Sequence, residues 1–155
     1  MILGQCLDVA PARVEFAHSA SGKPFLRDTT LRFNASRSAD IALMAIADGL
    51  EVGVDVERVH PQPEMQRIAR RFFSSRDFAE LQKAPAEAQA EVFFRLWTQT
   101  EARLKASGLG LGGARRQRHE HWPVCEVNPE VGYAGAVAAE TCGINLTLHE
   151  FNFSV

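Results

Sequence analysis

The sequence predicts an α+β fold with mainly antiparallel strands packed on one long helix. Three observations carry this reading. Short alternating apolar–polar segments occur near both ends of the chain. A helical period takes over between about residues 65 and 107, and Gly, Pro, Asn and Asp punctuate the segments.

The elements follow in order. Leu3, Cys6 and Leu7 share one face of a short helix that Pro11 ends. Val14 and Phe16 alternate as a strand, and Ser21-Gly22-Lys23-Pro24 is a turn. Leu31–Asn34 is a second short strand. Ile41–Ala47 is a third, apolar on both faces and therefore expected at the centre of a sheet. Asp48-Gly49 reads as a hairpin turn into Glu51–Val59, where Val52, Val54 and Val56 alternate with Gly53, Asp55 and Glu57. Beyond Pro61 and Pro63, Met65, Ile68, Ala69 and Phe72 make a helical stripe among Arg67, Arg70 and Arg71. Ser74 or Ser75 caps a short helix carrying Phe78 and Leu81. The longest helix spans about Ala86 to Ser107, with Pro85 near its first turn and Gly108 as its stop. Phe93, Leu96, Trp97, Thr100 and Leu104 are its expected buried side. Strand alternation returns at Val124–Val127, Tyr133–Ala138 and Ile144–Phe153, with turns at Asn128-Pro129 and Cys142-Gly143.

A chain of 155 residues forms one domain that needs no disulfide support. Its 46% hydrophobic and 23% charged content is that of a soluble globular protein. A net charge of −2 excludes a nucleic-acid-binding surface over the whole molecule. Cys6, Cys125 and Cys142 are widely spaced with no Cys-x-x-Cys pair, which suggests neither a zinc site nor a disulfide framework. The first residues lack a basic segment and a long apolar stretch, and no run reaches membrane-spanning length. A cytoplasmic protein with free, buried cysteines is expected.

Two stretches carry chemistry. In Gly53-Val54-Asp55-Val56-Glu57 the alternation places both carboxylates on one strand face. Such like charges repel unless a cation or water separates them, so the face is either a metal side or a solvated surface near Arg58. In Trp97–Ala106, Glu101 and Lys105 stand one helical turn apart. By default such a pair is a surface ion pair contributing about 0.3–0.5 kcal/mol. Trp97 one turn earlier and the apolar helix around the pair favour a site instead. Three carboxylates beside one lysine suit a divalent metal and a phosphate, and hard oxygen ligands suit Mg2+.

The remaining signals are weaker. His119 and His121 share one side of a possible strand, with no carboxylate or cysteine at ligand spacing. The glycines of 108–113 follow a helix rather than precede one, so they form a stop and turn, not a phosphate loop. Arg115-Arg116-Gln117-Arg118 is a basic cluster, either a solvated loop or a contact for an acidic partner.

The ordered motifs extend over most of the chain. They are Gly22-Lys23-Pro24; Phe33-Asn34-Ala35-Ser36-Arg37-Ser38; Gly53 to Glu57; Arg71-Phe72-Phe73-Ser74; Trp97 to Lys105 with the glycines after it; and Gly132-Tyr133-Ala134-Gly135-Ala136-Val137-Ala138. In this order they resemble the Sfp-like 4′-phosphopantetheinyl transferases. The resemblance implies that coenzyme A donates its phosphopantetheine arm to a serine of an apo acyl or peptidyl carrier protein, releasing 3′,5′-ADP. It implies Asp55, Glu57 and Glu101 as Mg2+ ligands and Glu101 and Lys105 as the catalytic pair. By the same resemblance Lys105 would also contact phosphate, while Lys23, Pro24, Ser36 and Arg37 would seat coenzyme A. On this resemblance Glu101, or a metal-bound water, would take the proton of the attacking serine. The basic clusters then meet an acidic carrier protein.

Three departures accompany the resemblance. Arg37 stands where the family usually has histidine, and Thr100 where it usually has lysine. Arginine keeps a bidentate charged grip on phosphate, whereas Thr100 removes a cation. Third, the family is built from two similar halves. Here residues 1–50 correspond to a partial first half and residues 51–155 to a second half, within a single domain. The shortened front implies uncovered apolar surface and an open sheet edge, hence self-association or dependence on another chain. The alternative function is a shortened homologue that binds coenzyme A or a carrier protein without turnover.

Overall fold

The structure, a computed structural model, describes residues 1–108, 122–141 and 145–151. The chain begins with helix α1 (Ile2–Leu7) and a single 3-10 turn, Pro11–Arg13. Strands β1 (Phe16–His18) and β2 (Pro24–Leu26) form one antiparallel pair, and β3 (Leu31–Ser38) and β4 (Ile41–Asp48) form a second. Strand β5 (Val52–Arg58) is followed by helices α2 (Met65–Phe72), α3 (Ser75–Lys83) and α4 (Gln89–Ser107). Strands β6 (Val124–Glu126) and β7 (Tyr133–Ala139) complete a three-stranded antiparallel sheet in the order β5-β7-β6. An α+β fold with antiparallel strands on a long helix is what the alternation and the helical period predict.

Small residues let α4 lie directly on this sheet. A Cβ added at Gly53 would sit 2.2 Å from both the Ala102 carbonyl oxygen and the Ala106 nitrogen. On the same sheet face, Ala138, Ala136 and Ala134 of β7 stand opposite Gly53, Asp55 and Glu57. Ala136 and Ala138 pack against Ala102 and Ala106, with Trp122 and Val124 packed against this small-residue cluster. Leu43 and Ala45 of β4 pack instead against Val54, Val127 and Val137, on the far face of the sheet. The first half of α4 buries Phe93, Phe94 and Leu96 against Ala69 and Leu81 of the two shorter helices. Each fully buried side chain of this size contributes about 1.5–3 kcal/mol.

The caps agree with the residues that mark them. Ser74 accepts a hydrogen bond from the Asp77 N–H at 3.1 Å and so starts α3. Gly108 ends α4 in the left-handed region at φ 69°, where glycine carries no Cβ penalty.

Five local expectations change, and the first is burial of the cysteines: Cys6 is exposed and Cys125 only half-buried. Strand β4 is not central: among the described residues it pairs with β3 alone, and Met44 is 40% exposed. Its two apolar faces serve two different clusters, Leu43 and Ala45 toward the large sheet and Ile46 toward Leu3, Leu26 and Phe33. Asp48-Gly49 is not a hairpin turn, because β4 runs back along β3 while β5 pairs with β7. The long helix starts with a 3-10 turn, Ala86–Ala88, and it buries Thr98 while Trp97 and Thr100 are half-buried. Residues 145–151 form no strand, although their alternation resembles one. Cys142-Gly143 lies outside the described residues.

Candidate active site

Strand alternation and the Gly53 contact together build the site. Because Gly53 faces α4, so do Asp55 and Glu57. Lys105 reaches from α4 across to β5 rather than along its own helix to Glu101. Its Nζ lies 2.6 Å from Asp55 Oδ1 and donates to Ser36 Oγ at 3.0 Å. Ser36 Oγ in turn donates to Asp55 Oδ1 at 2.8 Å.

Asp55 is 3% exposed, and its second oxygen, Oδ2, is buried without a hydrogen-bond partner among the described residues. Such a group is costly to leave unmet, and a bound cation is one way to satisfy it. Glu57 accepts from Ser38 Oγ at 2.8 Å through Oε2. Glu101 is held above the usual carboxylate range, first by burial and then by Asp55; Lys105 pulls it down, and Glu57 pushes it up again. Three carboxylates therefore act on one another around a single ammonium.

Strand β3 supplies the second wall. Asn34 Oδ1 accepts from the Val54 N–H at 2.9 Å, and Ser38 Oγ accepts from the Arg58 N–H at 3.1 Å. Side chains of β3, not a backbone ladder, thus satisfy donors on the open edge of β5. Ser38 and Asn34 were not singled out as site residues from sequence. Their signal was present in the period of two that links residues 34, 36 and 38.

The other candidates are placed as follows. Lys23 Nζ donates to Glu51 Oε2 at 2.7 Å, the Val52 carbonyl at 3.2 Å and the Ala106 carbonyl at 2.9 Å. Lys23 and Pro24 line a cleft of about 340 Å3 with Ser21, Arg32, Phe33 and Gly108. Arg32 Nε is 3.2 Å from Glu51 Oε1. Arg37 is exposed, on the strand face opposite Ser36 and Ser38, and donates to the Ala39 carbonyl at 3.3 Å. Thr100 Oγ1 donates to the Leu96 carbonyl at 2.9 Å, inside its own helix. Leu109–Gly113, Arg115–Arg118, His119 and His121 lie outside the described residues.

Among the described residues, no three His, Cys, Asp or Glu side chains close into a metal cage. Mg2+ does not need one. It is usually held by one or two carboxylates, with waters and substrate phosphates completing its shell. The unpartnered Asp55 Oδ2 beside Glu57 and Glu101 is a donor set of that kind.

Residues 51–146 match the family model described as the 4′-phosphopantetheinyl transferase superfamily. The chain is 34% identical over 159 residues to 4′-phosphopantetheinyl transferase HetI of Nostoc sp., covering 92% of this chain and 67% of that protein. It is 33% identical over 120 residues to the putative 4′-phosphopantetheinyl transferase slr0495 of Synechocystis sp., covering 76% of this chain and 49% of that one. It is 34% identical over 109 residues to 4′-phosphopantetheinyl transferase AcpT of Salmonella typhi, covering 70% and 55% of the two chains. The chain thus spans between about half and two thirds of the length of these relatives.

Proposed function

This chain belongs to the 4′-phosphopantetheinyl transferase superfamily, and from that premise we propose that it moves the phosphopantetheine arm of coenzyme A to a serine of an apo acyl or peptidyl carrier protein, releasing 3′,5′-ADP. The observation that carries the reading is the meeting of Lys105, Asp55 and Ser36 beside Glu57 and Glu101. Phosphoryl transfer asks mainly for positioning and charge neutralisation, and this cluster offers both.

In this reading Asp55, Glu57 and Glu101 would hold Mg2+, which would supply charge neutralisation at the pyrophosphate. Lys105, which donates to Asp55, would offer its ammonium to the phosphates. Glu101, with its affinity for a proton raised by burial, accepts the proton of the carrier serine hydroxyl. The cleft at Lys23 and Pro24 takes the nucleotide end, while Ser36 stands at Asp55 and Lys105 on the phosphate side. Arg37 would reach the ligand only from the outer face of β3. A single domain, with residues 1–50 as a partial first half and 51–155 as a second half, belongs to the same proposal. So do the Sfp-like branch of the family and a cytoplasmic location. Among the described residues no helix is long and apolar enough to cross a membrane. Phe16 (51% exposed) and Met44 offer apolar surface for a second copy, a point that sedimentation decides.

The test is a mass measurement. Apo carrier protein incubated with the chain, coenzyme A and Mg2+ should gain one phosphopantetheine, and Glu101→Gln should abolish the gain. Full transfer by that variant would remove Glu101 from the mechanism. Thr100 favours a second reading, a homologue that binds without turnover, because its hydroxyl is turned into the helix and supplies no cation. Calorimetric binding of coenzyme A without transfer to any carrier protein would select that reading.

A further inference from the structure

We propose that Ser38 is a positioning residue that aims the Glu57 carboxylate; the inference rests on the reading of Glu57 as a metal ligand. The Ser38 hydroxyl has one proton. The Arg58 N–H already donates to its oxygen at 3.1 Å, so that proton is free for Glu57 Oε2, 2.8 Å away. The bond engages Oε2 and leaves Oε1 of Glu57 to turn toward a cation. A glutamate near the end of an edge strand has three rotatable side-chain bonds, and without a partner it samples several rotamers.

The donor is itself fixed in place. Ser38 pairs with Ile41 at the end of the β3–β4 ladder, next to Ala39 in the left-handed region at φ 49°. Farther along β3, Asn34 is buried and bound to the Val54 N–H, which sets the register of β3 against β5. Asn34, Ser36 and Ser38 then meet Val54, Asp55 and Glu57 in sequence. Partners of this kind, which touch a metal ligand rather than the metal, typically change metal affinity by about 10- to 100-fold when removed.

The experiment follows the melting temperature of the full chain with coenzyme A at fixed concentration and increasing Mg2+. Ser38→Ala should move the Mg2+ half-point of the stabilisation up by about 10-fold or more. Ser38→Thr, which keeps the hydroxyl, should restore it. A half-point for Ser38→Ala equal to wild type, with that of Glu57→Gln displaced, overturns the inference and leaves the metal reading standing. Equal displacement by Ser38→Ala and Ser38→Thr also overturns it, because packing rather than the hydroxyl would then be responsible. If wild type does not respond to Mg2+, or Glu57→Gln titrates as wild type, the metal reading fails and takes the inference with it.

Discussion

Lys105 and Asp55 are joined at 2.6 Å although 50 residues separate them, so the docking of α4 on β5 and the assembly of the site are one event. The carboxylate side chain is 4% exposed and the lysine 29%, which makes this a mostly desolvated pair. Removing one partner of such a pair strands the other charge.

Lys105→Met is therefore expected to destabilise the chain by about 2–4 kcal/mol, below the top of the range for a fully buried pair because Lys105 is partly solvated. The double variant Asp55→Asn/Lys105→Met should recover part of that loss, since no buried charge is left alone. Urea denaturation of the single and double variants measures both quantities. Equal stability of Lys105→Met and wild type would show that the pair contributes nothing.

Gly53→Ala tests the contact that brings the pair together. Its Cβ would enter at 2.2 Å from two backbone atoms of α4, and backbone cannot rotate aside as a flexible side chain does. Overpacking costs typically about 1–3 kcal/mol. A backbone clash belongs at or above the top of that range. The helix must also move off the strand, so transfer to carrier protein should fall further than the loss of folded protein explains. Circular dichroism melts and the mass-shift measurement, run on the same samples, separate the two effects.

The sequence made β5 and α4 legible because each has an unmixed period, and residues 53–57 carry their carboxylates at the spacing of a strand face. What it concealed was partnership. The apolar run of β4 looks like a central strand, yet its two faces meet two separate clusters, and hydropathy does not distinguish these cases. Glu101 and Lys105 sit at helix-pair spacing, but the ammonium goes to Asp55 because the Gly53 contact puts β5 closer than any periodicity reveals. Ser38 and Asn34 were hidden for a similar reason. Their acceptors and donors lie on a strand about 20 residues away that does not pair with theirs in a ladder.

Glu101 gives the chain a pH signature. Burial and the nearby Asp55 raise its folded-state proton affinity above that of the unfolded chain. The protonated form is therefore favoured by folding: its contribution is fully present below the unfolded pKa and is lost as pH rises through the raised folded value. In metal-free buffer, Glu101→Gln should melt higher than wild type at pH 7.5, and the gap should close as the pH falls toward 4. A gap that stays constant across that window contradicts the raised affinity. The same variant should be inactive, a trade of stability for function at one side chain.

Lys23 makes the last prediction. Its ammonium is bound to Glu51 and to the carbonyls of Val52 and Ala106, the latter in the final turn of α4 where a cation also meets the negative end of the helix. Lys23 is thus a strut joining the β1–β2 hairpin to β5 and α4, with its stem forming one side of the cleft. Lys23→Met keeps the stem and removes the three bonds, leaving two carbonyls without a charged donor. A cost of about 2 kcal/mol follows, because bonds to charged groups contribute about 1.5–3 kcal/mol and water replaces part of the loss. For a chain of this size that corresponds to a fall of roughly 4–8 °C in melting temperature. Coenzyme A affinity, measured by calorimetry well below the melt, should change much less than it does for a variant of the phosphate-side Lys105. An unchanged melting temperature together with lost coenzyme A binding would assign the Lys23 ammonium to the ligand and not to the strut.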